Sequence, residues 1–352
     1  MRFAPLSLVP VLLLLLRWEQ PFTEAMINPV DFLALQAIRK SLDDLPGSNF
    51  FDSWDFTGDP CSFAGVYCDG DNVTALNLGD PRAGSPGLSG RIDPAIGKLY
   101  ALTELTIVPG RIIVNRVGSS VNRILTGAIQ FDSVSQSFKR FASSVLLSDA
   151  NQNRSQTQQP HRCSFSHVSP PSLQYLSLGW NQLTGPVNQV LLRLNQLSYL
   201  DLSLNRFTGA IPGQIFAFPI TNLQLQRNFF YGAVQPANQV TIATVDLSFN
   251  RFSGEISPLL SSVQNLYLNN NRFTGQVPVT FVDRLLASGI QTLYLQHNFL
   301  TGIQISPAAD IPVSSSLCLQ YNCMVPPVQT PCPVKAGPQK TRPTTQCNEW
   351  RG

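Results

Sequence analysis

One thirteen-residue pattern recurs through the second half of this 352-residue chain, and it constrains the fold more than any other feature. Its fixed positions read L-x-x-L-x-L-x-x-N-x-[LF]-[TS]-G, and its two sharpest copies run from Leu173 to Gly185 and from Leu197 to Gly209. Including looser copies, the asparagines are Asn181, Asn205, Asn228, Asn250, Asn271, Asn298 and, without the Thr-Gly, Asn322. Successive asparagines are 24, 23, 22, 21, 27 and 24 residues apart.

A period in the low twenties predicts a solenoid in which each repeat forms one coil. The L-x-L core alternates as a short strand does, so its leucines face one side and its x residues the other. A single repeat cannot bury its leucines, whereas stacked repeats share a continuous core. The asparagine follows the strand, and its amide can both donate to and accept from backbone groups buried between coils. The Leu and Asn positions are therefore interpreted as scaffold.

A second motif, Thr-Gly-x-Val/Ile-Pro, follows the asparagine at residues 208–212 and 274–278. With the repeat consensus, this resembles the plant extracellular subclass of leucine-rich repeats, which is found in receptor-kinase ectodomains, receptor-like proteins and polygalacturonase-inhibiting proteins. The resemblance covers Asn28–Ile112 and Leu173–Cys347. It implies an α/β repeat solenoid, a horseshoe with a parallel β-sheet on its concave face, cysteine-capped ends and one non-repeat disruption.

The chain divides into six predicted parts. These are a signal peptide (1–25), an N-terminal cap (26–72), the first coils (73–110), an irregular segment (111–170), the main coils (171–316), and a last repeat remnant with a C-terminal cysteine cap and tail (317–352).

The first part has the features of a secretory signal. Arg2 precedes an apolar run over residues 6–16, and Thr23-Glu24-Ala25 offers a small-residue cleavage site. This run of eleven mostly apolar residues is too short to span a bilayer, although an uncleaved anchor is the alternative. No later run approaches membrane length, so we expect a secreted product without a membrane span or a kinase, located in the apoplast or cell wall.

Six of the seven cysteines lie at the two ends of the repeat region. Cys61 and Cys68 stand in a segment that resembles the family's N-terminal cap, which implies that they pair. Before them, Asn28-Pro29 predicts a helix start, and Phe32, Leu35, Ile38 and Leu42 form one apolar stripe. The other four allow three pairings, among which sequence does not choose. The resemblance favours Cys318–Cys323 and Cys332–Cys347. A zinc site is disfavoured because no histidine lies near these cysteines, and we expect no metal and no cofactor.

The irregular segment departs from the pattern abruptly. Gly110 stands where an asparagine belongs, and between Arg111 and Ser172 six Arg and one Lys face two Asp. Three interpretations are open: an island loop, about three degenerate coils, or sequence from a retained intron, mis-splicing or a faulty gene model. We favour the third, because the segment also holds the unpaired Cys163. In every case we expect the first coils to be poorly coupled to the rest.

Two N-glycosylation acceptors are present, at Asn72 and Asn153. The net charge of +3 comes from the irregular segment, so it gives no reason to expect a nucleic-acid partner. The combination closest to a catalytic pair is His161-Arg-Cys163 with His167. It lies in the least structured segment, whereas a nucleophile needs a base held by rigid surroundings. We therefore expect no enzyme activity.

The outward x positions of the strands are the candidate binding surface. The residues chosen are Tyr175, Ser177, Tyr199, Asp201, Ser203, Gln224, Gln226, Asp246, Ser248, Tyr267, Asn269, Tyr294 and Gln296. Adjacent strands lie about 4.8 Å apart, which predicts the neighbouring pairs Tyr175–Tyr199 and Tyr267–Tyr294. Such a face suits a protein, peptide or polysaccharide ligand, with tyrosines as anchors. The alternative is that the positions are merely solvated and the tyrosine pairs stabilise the sheet.

The function that these features favour is recognition in plant defence or development. The resemblance adds a receptor kinase as a possible partner and inhibition of a microbial wall-degrading enzyme as a possible activity. The alternative is a structural wall-associated protein, or a truncated or mis-spliced product with no activity of its own.

Overall fold

The computed structural model describes residues 27–79, 87–107, 110–113, 172–328, 330–333 and 336–348. The predicted signal peptide, the acceptor Asn153, and His161, Cys163 and His167 lie outside these residues. None of the described helices is long and apolar enough to cross a membrane.

A ten-stranded sheet runs the length of the described chain. Its strands, in spatial order, are β2 (Val66–Asp69), β3 (Asn72–Leu78), β5 (Glu104–Ile107), β7 (Tyr175–Ser177), β9 (Tyr199–Asp201), β11 (Asn222–Gln224), β13 (Thr244–Asp246), β15 (Asn265–Tyr267), β18 (Thr292–Tyr294) and β20 (Ser316–Cys318). Only the β2–β3 pair is antiparallel; every later pair is parallel and joins consecutive coils. The order confirms the predicted solenoid, and the outward side of this sheet is called the concave face below.

Three smaller sheets form where the chain leaves the long one. β1 (Leu42–Asp44), β4 (Leu88–Arg91) and β6 (Arg111–Ile113) make one. The second contains β8 (Thr184–Pro186), β10 (Arg206–Gly209), β12 (Phe229–Gly232), β14 (Arg251–Glu255) and β16 (Arg272–Thr274), and the third pairs β17 (Gln276–Val277) with β19 (Gly302–Ile303).

Helical segments complete the coils. The α-helices are α1 (Pro29–Ser41), α2 (Asn188–Leu191), α3 (Val279–Leu286) and α4 (Thr344–Asn348). Short 3₁₀ turns span Phe50–Ser53, Pro60–Ser62, Pro94–Lys98, Gly213–Ala217 and Pro258–Leu260.

The L-x-L leucines build one continuous core, which extends from Ile27 in the cap to Val328 after the last coil. Each strand of the main coils buries its central residue and leaves the two flanking residues half-exposed, as the alternation predicts. A row of phenylalanines lies two positions after the asparagines; Phe207, Phe230 and Phe252 stack with ring centroids 6.3 Å apart. All three are fully buried, so adjacent coils share one apolar interior.

The asparagines form the predicted ladder. Asn228 is representative: its Nδ2 donates to the carbonyls of Leu202 (2.8 Å) in the preceding coil and Leu225 (3.2 Å) in its own, and its Oδ1 accepts from the backbone N–H of Phe207 at 2.9 Å. One side chain thus satisfies backbone groups of two coils that are buried from water.

The residue before each ladder asparagine adopts a left-handed conformation, with φ between 50° and 60°. These residues are Trp180, Leu204, Arg227, Phe249, Asn270, His297 and Tyr321. None is glycine, although side chains disfavour this conformation. The bonds of the following asparagine hold each turn in place.

The first coils are firmly joined to the rest, and the expectation of poor coupling is wrong. β5 pairs directly with β7, with Leu105 opposite Leu176. Across the junction, the Ser172 hydroxyl donates to the carbonyl of Leu102 at 3.1 Å, and the Gly110 N–H donates to the carbonyl of Trp180 at 3.3 Å. Each of these strands carries its own inward-facing leucines, so the strands stack on each other whatever the length of the chain that connects them.

Among the described residues, no strand lies between β5 and β7 in the long sheet. The described chain also continues past the predicted boundary at residue 110, since β6 pairs with β4. Residues 114–171 lie outside the described residues, so the three interpretations of the irregular segment stay predictions.

At the N-terminal end, the cap forms as predicted. The Asn28 side chain accepts from the Val30 N–H at 2.9 Å, and α1 buries Leu35 and Ile38. Cys61 and Cys68 are disulfide-bonded. The cap also contains an aromatic cluster in which Trp54 contacts the rings of Phe50, Phe51, Phe56 and Phe63.

At the C-terminal end, the favoured disulfides Cys318–Cys323 and Cys332–Cys347 are wrong. The bonds are Cys318–Cys332 and Cys323–Cys347.

The path of the tail explains the pairing, because the tail crosses the last coil in the same direction as β20. The Thr330 hydroxyl bonds to the carbonyl of Leu317, and further along the Arg342 N–H donates to the carbonyl of Asn322 at 2.8 Å. The earlier tail cysteine, Cys332, therefore lies beside β20, which contains Cys318. The later tail cysteine, Cys347, lies beside the turn after β20, which contains Cys323.

Candidate ligand-binding face

The concave face presents the thirteen candidate residues at two different depths. The positions just after each strand, Ser203, Ser248, Asn269 and Gln296, are buried. The other nine, Tyr175, Ser177, Tyr199, Asp201, Gln224, Gln226, Asp246, Tyr267 and Tyr294, are partly exposed. The surface within reach of a ligand is therefore a band two residues wide across most strands.

Both predicted tyrosine pairs are present. Tyr175 lies opposite Tyr199, with ring centroids 4.4 Å apart and planes 6° from parallel. Tyr267 lies opposite Tyr294, with centroids 5.4 Å apart and an edge-to-face angle of 82°. The pairs are separated by three strand spacings, about 14 Å.

Burial keeps the stacked pair neutral. It raises the pKa of Tyr199 to about 12, and the charge of Asp201 acts in the same direction. The pKa of Tyr175 is also raised, again chiefly by burial, although its contact with Tyr199 opposes the shift. Both phenols therefore keep their protons at physiological pH.

Between the pairs lies a strip of amides. Gln224 Nε2 donates to Asn222 Oδ1, and Gln226 Nε2 donates to Gln224 Oε1, each at 3.2 Å. The chain of bonds ends at Gln226 Oε1, a buried acceptor that has no hydrogen-bond partner among the described residues. Gln296 Oε1 is buried and unpartnered in the same way. Both oxygens are buried from solvent, so a ligand would meet the strip through the half-exposed parts of Asn222, Gln224 and Gln226.

The two acidic candidates also have structural roles. Asp201 Oδ1 accepts from the Ser203 N–H at 2.8 Å, and Asp246 Oδ1 accepts from the Ser248 N–H at 2.9 Å. Burial raises the pKa of Asp246, and the contact with Ser248 opposes that shift.

Gly179 makes room for the first of these carboxylates. A Cβ at this position would lie 2.8 Å from Asp201 Oδ2, so any larger residue would displace that carboxylate from its present place.

The sequence-based set missed residues of the first coils. Because β5 is the immediate neighbour of β7, Glu104 lies opposite Tyr175 and Thr106 opposite Ser177. Both are half-buried on the same face and extend it toward the cap. The signal was present, since Leu105 and Ile107 keep the L-x-L spacing.

The glycosylation acceptor Asn72 begins β3 and is half-exposed. Its Nδ2 donates to Asp71 Oδ1 at 2.6 Å, and its Oδ1 accepts from the Tyr100 hydroxyl. A glycan on Nδ2 would have to replace the Asp71 contact, so glycosylation here stays a prediction.

Comparison with known proteins follows this geometry. Residues 28–69 match the leucine rich repeat N-terminal domain, and residues 196–218 and 262–283 match the Leucine Rich Repeat. The chain therefore contains a leucine-rich repeat N-terminal domain and leucine-rich repeats.

Its relatives include plant proteins named as receptor-like proteins. Receptor-like protein EIX2 of Solanum lycopersicum is 32% identical over 109 residues, which are 30% of this chain and 10% of that protein. Protein BRASSINOSTEROID INSENSITIVE 1 of Arabidopsis thaliana is 30% identical over 217 residues, 60% of this chain and 16% of that protein. The chain therefore spans a small part of the length of these relatives.

Solved structures show the same fold. The PEPR1–AtPEP1 structure aligns with a TM-score of 0.57 and 23% identity, over 84% of this chain and 35% of that one. A plant ice-binding protein aligns with a TM-score of 0.53 and 21% identity, over 85% of this chain and 80% of that one. At these identities the likeness establishes the shared architecture.

Proposed function

We propose that this leucine-rich repeat protein is a secreted recognition protein of the plant extracellular space, which binds a peptide or an extended protein segment on its concave face. The observation that carries the proposal is the acceptor-rich amide strip between the two tyrosine pairs. The naming of its relatives as receptor-like proteins supports a role in perception during defence or development, with a receptor kinase as signalling partner.

The geometry suits a ligand that crosses the strands. The 14 Å between the tyrosine pairs corresponds to about four residues of extended peptide. The half-exposed side-chain amides of Asn222 and Gln224 would supply hydrogen-bonding groups to the backbone of such a segment. The tyrosine rings offer large, rigid contacts at either end, and aromatic anchors of this kind dominate binding energy.

The test is recovery of partners from apoplastic wash fluid of plant tissue by the immobilised full chain. Tyr199→Ala combined with Tyr267→Ala should lower the recovery of a specific partner by at least tenfold, because each anchor is worth about 2 kcal/mol. Tyr100→Ala combined with Tyr231→Ala is the matched control, since both tyrosines are exposed and lie outside the ten-stranded sheet.

Equal recovery of every partner by the wild type and both double variants would refute binding through this face. Inhibition of a fungal polygalacturonase is a separate assay, and loss of inhibition in the Tyr199/Tyr267 variant would identify that enzyme as the partner.

The alternative is a structural wall-associated protein, or a truncated or mis-spliced product without activity. The irregular segment favours the second form. Sequencing mature transcripts across residues 111–170 tests it, and a transcript pool in which every message encodes the segment would exclude it.

A further inference from the structure

The concave face has a notch at its N-terminal end, in the coils that precede the irregular segment. Four outward residues form it, and each lies opposite the next on the neighbouring strand. In order across β2, β3, β5 and β7 they are Tyr67, Ala75, Glu104 and Tyr175. Alanine has the smallest side chain of the four, so a gap separates Tyr67 from Glu104. We call these four residues the N-terminal notch.

The notch is open to solvent and has an aromatic side chain at each end. Tyr67 is 54% exposed, and Ala75 and Glu104 are half-buried. Tyr67 and Tyr175 are three strand spacings apart, which is about 14 Å. Between them lie a short apolar side chain and a carboxylate.

The Glu104 carboxylate is held in position but is not neutralised. With the Asn77 amide oriented as its neighbours require, its Nδ2 donates to Glu104 Oε1 and to the carbonyl of Leu76, each at 3.3 Å. A neutral amide fixes the direction of the carboxylate and leaves its charge in place. Within the described ranges, no basic side chain forms an ion pair with Glu104.

The sheet around the notch carries charge of one sign. The ten strands contain no lysine or arginine, and their acidic residues are Asp69, Glu104, Asp201 and Asp246. Opposite charge across an interface steers encounter and fixes the register of a ligand. The face is therefore complementary to a ligand that carries positive charge.

The Tyr175 ring directs this complementarity to the notch. Tyr199 covers one face of the ring, with centroids 4.4 Å apart and planes 6° from parallel. Because β7 lies between β5 and β9, the other face is turned toward the strand of Glu104. A cation at this place meets an aromatic face and a carboxylate together, and both attract it. The methylene groups of a lysine or arginine would lie along the apolar surface of Ala75 and Tyr67.

We propose that the N-terminal notch binds the side chain of an arginine or lysine in the peptide ligand. The proposal rests on the function proposed above, since it names a residue that such a ligand must carry. Glu104 lies two strand spacings, about 10 Å, beyond Tyr199. The basic residue should therefore be about three residues of extended chain away from the residue that contacts Tyr199.

The test begins with selection of peptides from a random dodecapeptide library by the immobilised full chain. The wild type should enrich peptides that contain arginine or lysine. The most enriched peptide is then synthesised, and its Kd is measured by fluorescence anisotropy. Glu104→Gln should weaken binding about tenfold, because it removes the charge and keeps the shape of the side chain. Raising the salt concentration should weaken binding by the wild type more than by this variant.

A double-mutant cycle locates the contact. Replacing the basic residue of the peptide by glutamine should weaken binding to the wild type about tenfold as well. The same replacement should change binding to the Glu104→Gln variant little, because the partner charge is already gone. Tyr67→Ala should weaken binding of the basic peptide about threefold, since the cation and its methylene groups lose one aromatic contact.

Two variants serve as matched controls and should leave the Kd unchanged. Glu255→Gln removes one exposed carboxylate from β14, outside the ten-stranded sheet. Tyr100→Ala removes a tyrosine that is 51% exposed outside that sheet. Thermal unfolding of every variant checks that the fold is kept.

The outcomes separate this proposal from the one on which it rests. Selected peptides that depend on Tyr199 and Tyr267 but are not enriched in basic residues would contradict the notch and leave peptide recognition standing. Additive losses in the double-mutant cycle would show that the cation contacts another site. An equal loss in Glu255→Gln would show that only net charge matters. Failure of the wild type to select any peptide would contradict both proposals.

Discussion

The coils before and after the irregular segment share one sheet but are held together by different interactions. In the main coils, each pair of consecutive coils between Asn181 and Asn322 is joined by a ladder asparagine, whose side chain accepts from a backbone N–H of the coil before it. In the first coils no such asparagine is present; Gly110 occupies the equivalent place. There the cap provides the stability, through its aromatic cluster and the bond of Asp31 Oδ2 with the Val73 N–H at 2.8 Å. A solenoid can thus replace its repeat-specific bonds at one end, provided that the L-x-L strands continue.

The boundary between the two regions is visible in one side chain. Asn181 is the first asparagine of the ladder, and its Nδ2 donates only within its own coil, to Leu178 and Gly179. Its Oδ1 is buried and has no partner among the described residues. The preceding coil, which ends in the irregular segment, does not supply the N–H that later coils offer.

The largest expected effect is in the cap. Trp54→Ala should lower the free energy of unfolding by about 4 kcal/mol, because the indole is buried among four phenylalanines and its Nε1 donates to Ala64 O at 3.0 Å. Trp180→Ala is the control, since that side chain is 59% exposed and should cost under about 0.5 kcal/mol. Urea unfolding measures both, and similar costs would show that the cap does not hold the first coils.

The ladder gives the next effect. Asn250→Ala removes the donors to Leu225 O (2.9 Å) and Leu247 O (3.1 Å) and the acceptor for Phe230 N, and should cost about 3 kcal/mol. Asn181→Ala removes only bonds within its own coil and should cost about 1 kcal/mol. If the two variants have equal unfolding free energies, the contrast between the regions is wrong.

Shortening the irregular segment tests the junction itself. Leu105 and Leu176 are 71 residues apart, and deleting residues 118–164 restores the spacing of 24 seen between Leu176 and Leu200. The deletion should raise the unfolding free energy by about 1.5 kcal/mol or less, because a shorter connection costs less closure entropy. Two separate calorimetric transitions in place of one would show that the segment, and not the β5–β7 pairing, couples the regions.

The smallest effects concern one carboxyl in each region. Burial raises the pKa of both Asp31 and Asp246; a backbone bond to Val73 opposes the shift at Asp31, as the contact with Ser248 does at Asp246. Since their folded-state pKa values lie above the unfolded value of 3.8, both carboxyls favour folding most in acid. They lose that contribution to stability as pH rises through the folded-state pKa.

Asp31→Asn and Asp246→Asn should therefore be more stable than the wild type at pH 7. The gap should close toward pH 3.8, as measured by thermal unfolding across that range. Asp283→Asn, an exposed substitution in α3, is the control for the loss of one surface carboxyl.

Local spacing was enough to predict the scaffold. The leucines, the asparagines and both tyrosine pairs are set by the repeat period, so each could be placed from sequence. The coupling across the irregular segment was missed because it depends on the pairing of Leu105 with Leu176, which the distance along the chain conceals. The C-terminal disulfides were missed for a similar reason. Their pairing depends on the path of the tail past Leu317 and Asn322, which no repeat in the sequence describes.

The crossed disulfides of the C-terminal cap also have a consequence for the order in which the protein matures. Cys61 and Cys68 are separated by seven residues and can join as soon as the first coil has been synthesised. Cys318 and Cys323 must instead wait for partners that arrive 14 and 24 residues later, and joining each other in the meantime would be an error. Oxidative folding should therefore lock the N-terminal end first, with disulfide exchange needed only at the other end.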